Sequence, residues 1–178
     1  MLVQKQCMFA LLFFISILGG CATSRTELKI ASLASEPAPT VTANPRTIVI
    51  RSVKDERVFE QAPSSPSTPS LGFEGASLAT DELKSRAIGR KRNMYGKALG
   101  DFLLEKGRTV TELVRENVAV ALRQTGYRVV TDQEALASAI IVDVRIKQFW
   151  TWFSPGFFTI SLQATIETDI DVSGSSPS

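Results

Sequence analysis

Leu18-Gly19-Gly20-Cys21 closes an apolar run that begins at Phe9, and a cysteine in that setting has one well-defined chemistry. The stretch resembles a bacterial lipobox, in which the thiol would be alkylated by a diacylglycerol, the chain cut ahead of it, and the new amine acylated. Lys5 supplies a weakly positive start, an apolar stretch follows, and small residues precede the cut. The glycines at 19 and 20 let the backbone extend into a narrow peptidase cleft. A transmembrane helix would need ~20 apolar residues, whereas this run stops at Gly19 and is soon followed by Ser24, Arg25 and Glu27. Ala22 behind the cysteine resembles lipoproteins sorted to the outer membrane of Gram-negative bacteria. Each buried methylene contributes ~0.8 kcal/mol, so two or three acyl chains hold essentially permanently.

Other chemistries are narrower. The chain has no histidine, which excludes Ser-His-Asp and Cys-His nucleophiles. Cys7 leaves with the signal segment and Cys21 takes lipid, so no disulfide, thiol reaction, metal site or cofactor is expected. Removing residues 1–20 takes one lysine from 20 Lys and Arg against 18 Asp and Glu, and this near-neutral balance gives no reason to expect nucleic acid. Paired carboxylates remain for hydrolysis of a cell wall or glycan, with Asp55 and Glu56 or Asp169 and Asp171 as the candidates. Neighbouring Asp55 and Glu56 point to opposite faces of an extended chain, and neither pair comes with a sugar-binding aromatic cleft. Arg86, Arg90, Lys91, Arg92 and Lys97, interleaved with Gly89, Gly96 and Gly100, are compatible with an anion-binding loop but match no phosphate-binding fingerprint. A solvated basic loop is the plainer reading. The densest unusual composition is Phe149, Trp150, Trp152, Phe153, Phe157 and Phe158. These aromatics are either covered by the loop at 60–108 or form an exposed patch that docks a partner or the headgroup layer.

The elements that must position these groups follow from periodicity. Residues 1–20 read as the lipoprotein signal, 21–46 as a flexible Pro/Ser/Ala-rich tether, and 47–172 as a single domain with a mobile loop at 60–81. Residues 173–178 read as a disordered tail. Thr47 to Val53 is rich in β-branched residues and predicts a largely buried strand. Thr109 and Glu112 form a capping box for the main helix at 109–125, whose apolar face is Val110, Leu113, Val114, Val118, Ala121 and Leu122. Gly126 terminates it, Tyr127 to Val130 reads as a short strand, and Thr131 with Glu134 predicts a second small helix to Ala137 or Ser138. Alternation at Ile140, Val142, Val144 and Ile146 and again from Phe158 to Ile170 predicts an antiparallel hairpin, 139–149 with 157–172. Because both apolar faces carry even numbers, a three-residue loop at 154–156 would pair Phe153 with Phe157 and Val144 with Ile166. The expected fold is α+β, a small, mostly antiparallel sheet packed against one main helix.

The order of lipobox, β-branched strand with Asp55-Glu56-Arg57, Ile88-Gly89 before Asn93 and Gly96, helix ending at Gly126-Tyr127, then an alternating strand is similar to the YajG type of bacterial lipoprotein. It covers residues 47–170. The resemblance implies an outer-membrane lipoprotein with a small α+β domain facing the periplasm and no assigned activity; no catalytic residues come with it. The chain departs from that pattern by ending at Ser173 to Ser178, where another strand and helix are expected, which would leave the last strand with an open edge. The function expected from all this is a non-catalytic accessory lipoprotein, held to the membrane through Cys21 and binding an envelope protein through the aromatic hairpin. A carboxylate hydrolase and a lipid carrier are the alternatives.

Overall fold

The computed structural model describes residues 24–33, 45–73, 75–93, 95, 97–131, 139–155 and 159–174. Cys21, Phe157, Phe158 and residues 132–138 of the second predicted helix lie outside them. The fold is α+β: strands β1 (Thr26–Leu28), β2 (Thr47–Asp55), β3 (Ala87–Arg92), β4 (Ala98–Leu104), β5 (Arg128–Val130), β6 (Ile140–Pro155) and β7 (Ile160–Ser173) form one sheet, with helices α1 (Asp81–Arg86) and α2 (Val110–Gln124). The sheet is mixed rather than mostly antiparallel. β3 with β4 and β6 with β7 run antiparallel, while β6 runs parallel to both β2 and β3, as β1 does to β4 and β2 to β5. Strand β6 is the spine: one edge carries β7 along its length, and the other is shared by β2 as far as Ile146 and by β3 at Thr151.

Local chemistry explains α2. The Thr109 hydroxyl accepts from the Glu112 amide at 3.2 Å and the Glu112 carboxylate accepts from the Thr109 amide at 2.8 Å, closing the predicted box. At the other end Gly126 adopts φ +91°, the Tyr127 amide donates to Leu122 O and the Gly126 amide to Arg123 O, a Schellman ending that only glycine reaches without strain. Val110, Leu113 and Val114 are buried as expected, but Ala119 and Val120 turn inward while Ala121 faces solvent.

The basic stretch expected as a loop is a hairpin, β3 and β4, closed by Asn93, whose side chain accepts from the Tyr95 and Lys97 amides at 3.0 and 2.9 Å. Its cations hide the alternation that marks a strand. Gly89 is required where β3 meets β6, because a Cβ there would lie 2.3 Å from Thr151 Oγ1 and 2.7 Å from Thr151 O.

The β6–β7 hairpin exists, in a different register. Val144 pairs with Ile170 and not Ile166, and Phe153 pairs with Leu162 and not Phe157. A bulge between Ile146 and Gln148 makes Lys147 an extra residue, so the parity of pairing switches halfway along β6. Val142, Val144 and Ile146 therefore share a face with Phe149 and Phe153, and Trp150 and Trp152 point to the opposite one.

Both faces have cores. On the helix side Ile48, Ile88, Leu104, Val110, Leu113, Val114, Val142, Val144 and Ile146 form one cluster, flanked by Phe102 and Phe149. On the other side Leu71, Leu83, Ala87, Leu103 and Trp150 form a second, flanked by Phe59, Ala79 and Trp152. The proline-rich stretch expected as a mobile loop is thus a covering layer, with Ser70 and Leu71 buried.

Candidate functional site

The four described aromatics of the six split. Trp150 is 1% exposed and belongs to the core: its indole Nε1 donates to Pro66 O at 3.2 Å and the Phe59 ring meets it edge-on, centroids 6.0 Å apart. Burying this large ring with its one donor satisfied is the state tryptophan favours, and it removes Trp150 from the expected docking patch. Phe149 packs on the helix-side core and Trp152 on the other, both half-buried. Phe153 leans on Phe102 with centroids 6.2 Å apart. Aromatics on both faces of a strand are accounted for by two cores instead of one.

The carboxylate candidates are also brought into contact with cations. Arg57, whose side chain is fully buried, uses all its guanidinium N–H groups: Nε and Nη2 grip Asp55 at 2.8 and 2.7 Å, Nη1 donates to Ala87 O and Phe149 O, and Nη2 to Lys84 O. This one side chain ties the end of β2 to α1, to the start of β3 and to β6. Glu56 accepts from Lys147 at 2.6 Å, which holds its carboxyl below the usual range. Arg145 lies 2.8 Å from Asp171 and 3.7 Å from Asp169, on the face of the hairpin away from α2. A general acid needs a carboxyl pushed upward; Glu56 is pushed the other way, and Asp55, Asp169 and Asp171 are ion-paired. Among the described residues, no group of three or more potential ligands could hold a metal ion, and no helix is long and apolar enough to cross a membrane.

Cavities lined by described residues include two away from the hairpin's row of aliphatics. One of about 380 Å³ lies at the β2–β5 edge beneath α2, lined by Ile50, Arg115, Ala119, Arg123, Val129 and Val130. Arg115 donates to Ile50 O there. The other, about 320 Å³, is the outer mouth of the Arg57 knot. No residue of the aromatic hairpin is in the lining of either, and each carries arginine in its wall where a lipid chain would need apolar lining.

What sequence reasoning missed is that one apolar face of β7 is left uncovered. Its face on the α2 side carries Leu162, Ile166, Ile170 and Val172, exposed by 51% to 67%. Their partners across the ladder, Phe153, Phe149, Val144 and Val142, are buried or half-buried. The helix-side core draws on β2, β3, β4 and β6 and takes nothing from β7. Single exposed aliphatics are ordinary, but four on one face of a strand whose outer edge pairs with no described strand are not. The alternation itself was visible; that it would be left uncovered depends on where α2 ends up.

Compared with known protein families, with curated proteins and with solved structures, the chain matches none.

Proposed function

We propose that this protein is a lipid-anchored periplasmic accessory lipoprotein of the outer membrane, without catalytic activity, whose protein-binding surface is the apolar face and open edge of β7. The observation that carries the binding reading is the row of four exposed aliphatics on an otherwise well-packed sheet. A partner strand added to β7 would pair with the main-chain groups of its outer edge, which meet no described strand, and cover the row, the mode known as β-augmentation. The anchor rests on the lipobox at Cys21, and the resemblance to YajG-type lipoproteins supports the address and the lack of assigned chemistry. The hydrolase reading loses ground because each of its carboxylates is paired with a cation.

In-cell photocrosslinking tests the surface. A crosslinker at Leu162 or Ile166 is expected to capture one defined envelope protein, and the same group at Gln163, on the opposite face, is expected to capture it poorly. Equal capture from both faces, or none from either, would overturn the β7 reading. A Cys21→Ser variant that still gains acyl mass would overturn the anchor.

A further inference from the structure

The margins of the sheet are not alike. The segment expected to begin a free tether is seated on β4 as β1, three residues long, with the Ser24 amide donating to Leu99 O at 3.0 Å and the Glu105 amide to Leu28 O at 3.1 Å. The β2 side ends in β5, also three residues. Very short edge strands guard a sheet against pairing with another chain, as do lysine, proline and bulges. β7 is 14 residues long, contains no lysine or proline, and leaves the bulge of its ladder to β6. Its charges are Glu167, Asp169 and Asp171, and Arg145 and Lys147 of β6 already lie beside the two aspartates.

The order of residues along β7 adds a symmetry: about Ile166 the strand is a chemical palindrome. With two copies of β7 laid antiparallel and Ile166 opposite Ile166, Leu162 falls opposite Ile170, Ala164 opposite Thr168 and Ile160 opposite Val172. On the other face Glu167 falls opposite Thr165, Asp169 opposite Gln163 and Asp171 opposite Ser161. Every acid is set against a neutral residue able to hydrogen-bond to it, and each of the four exposed aliphatics against an aliphatic. Other registers lose this match. A centre at 167 sets Glu167 against itself, one at 168 sets it against Asp169, and one at 165 sets Leu162 against Thr168 and Ile166 against Ala164. A centre between two residues sets the apolar face of one copy against the polar face of the other, and centres further out leave part of the row unpaired.

We propose that the partner of β7 is β7 of a second copy of this chain, paired antiparallel about a twofold axis at Ile166 to give one continuous sheet across a symmetric dimer. A twofold interface requires one surface that is complementary to itself, because whatever residue i of the first copy meets, residue i of the second meets too. The inference rests on the reading of β7 as the binding edge and names its partner. Each copy has its two cores without the other, so the dimer joins folded chains and is not a condition of folding.

The test is in-cell photocrosslinking of the full chain, with benzoylphenylalanine at Leu162 or Ile166 in one tagged copy, a second copy under a different tag, and mapping of the joined peptides. The crosslinker at Leu162 is expected to join to the stretch around Ile170, and that at Ile166 to the stretch around Ile166, in a product carrying both tags. Within one chain positions 162 and 170 stand roughly 26 Å apart along the strand, so this joint forms only between copies. Gln163→Glu sets an acid against Asp169 twice per dimer and is expected to cut the joined product several-fold. Gln163→Lys is expected to raise it, and exchanging the two residues, Gln163→Glu with Asp169→Gln, to restore it. Capture of a different envelope protein, with no product joining two copies, overturns the second copy and leaves the β7 reading standing. Joints between copies at other positions, or a product indifferent to Gln163→Glu, overturn the pairing about Ile166. No capture from either position overturns the dimer and the β7 reading together.

Discussion

Replacing Arg57 by alanine removes five side-chain hydrogen bonds, leaving Asp55 with the residue-57 amide at 3.2 Å and three main-chain carbonyls without the guanidinium. Breaking a buried ion pair from one side costs about 3–5 kcal/mol, and that is the loss expected in urea unfolding. Arg57→Lys keeps the charge but not the planar fork and is expected to recover less than half; full recovery would show that charge alone matters. Asp143 makes a different prediction. Arg51, then Ser52, hydrogen-bond its carboxylate and hold its pKa down at about 2. A carboxyl depressed in the folded state stabilises fully above its ordinary pKa and loses that contribution as pH falls through the folded value. Stability should therefore decline from about pH 4 toward pH 2, and Asp143→Asn should flatten that part of the profile; an unchanged slope would assign the acid sensitivity elsewhere. The sequence marks Asp55-Glu56-Arg57 as the end of a strand, but it does not mark Arg57 as a knot, because one of its acceptors lies 92 residues away.

At the level of elements, legibility follows the range of the interaction. The cap of α2 and its glycine ending are local, decided by Thr109, Glu112 and Gly126, and they stand where the sequence places them. The bulge at Lys147 is not local: residues 140–146 and 160–170 alternate without interruption, and the extra residue shows only once β7 is paired against β6. Its consequence is large, since it sends Trp150 into the loop-side core. Trp150→Ala is accordingly expected to cost about 3–5 kcal/mol, measured by denaturation with circular dichroism. A loss under 1 kcal/mol would mean the ring is not the anchor of that core. In the Trp150→Phe variant the remaining fluorescence comes from half-buried Trp152 and should shift to the red. Leu113, 1% exposed on the helix side, gives the matching result for the other face: Leu113→Asp should abolish soluble folding.

On the scale of the whole molecule, a sheet with two covered faces leaves β7 as its uncovered margin. That asymmetry could not be read from β7 itself, whose aliphatics alternate as faithfully as those of β6. It arises because α2 packs over β2, β3, β4 and the first half of β6, and because the edge of β6 facing away from them belongs wholly to β7. The cross-strand pairs on either side of that boundary should therefore respond differently to the same kind of change. Ile146, fully buried, is expected to cost about 2–5 kcal/mol on truncation to alanine. Ile166→Thr and Ile170→Thr keep a β-branched residue at positions 65% and 51% exposed, and each should leave unfolding free energy within about 0.5 kcal/mol of the parent. The same two substitutions should weaken crosslinking to a partner from Leu162, because they remove apolar surface that an added strand would cover. If instead either threonine destabilises the isolated protein by more than about 1 kcal/mol, the face of β7 is already covered within the molecule, and its role as a docking edge falls with that measurement.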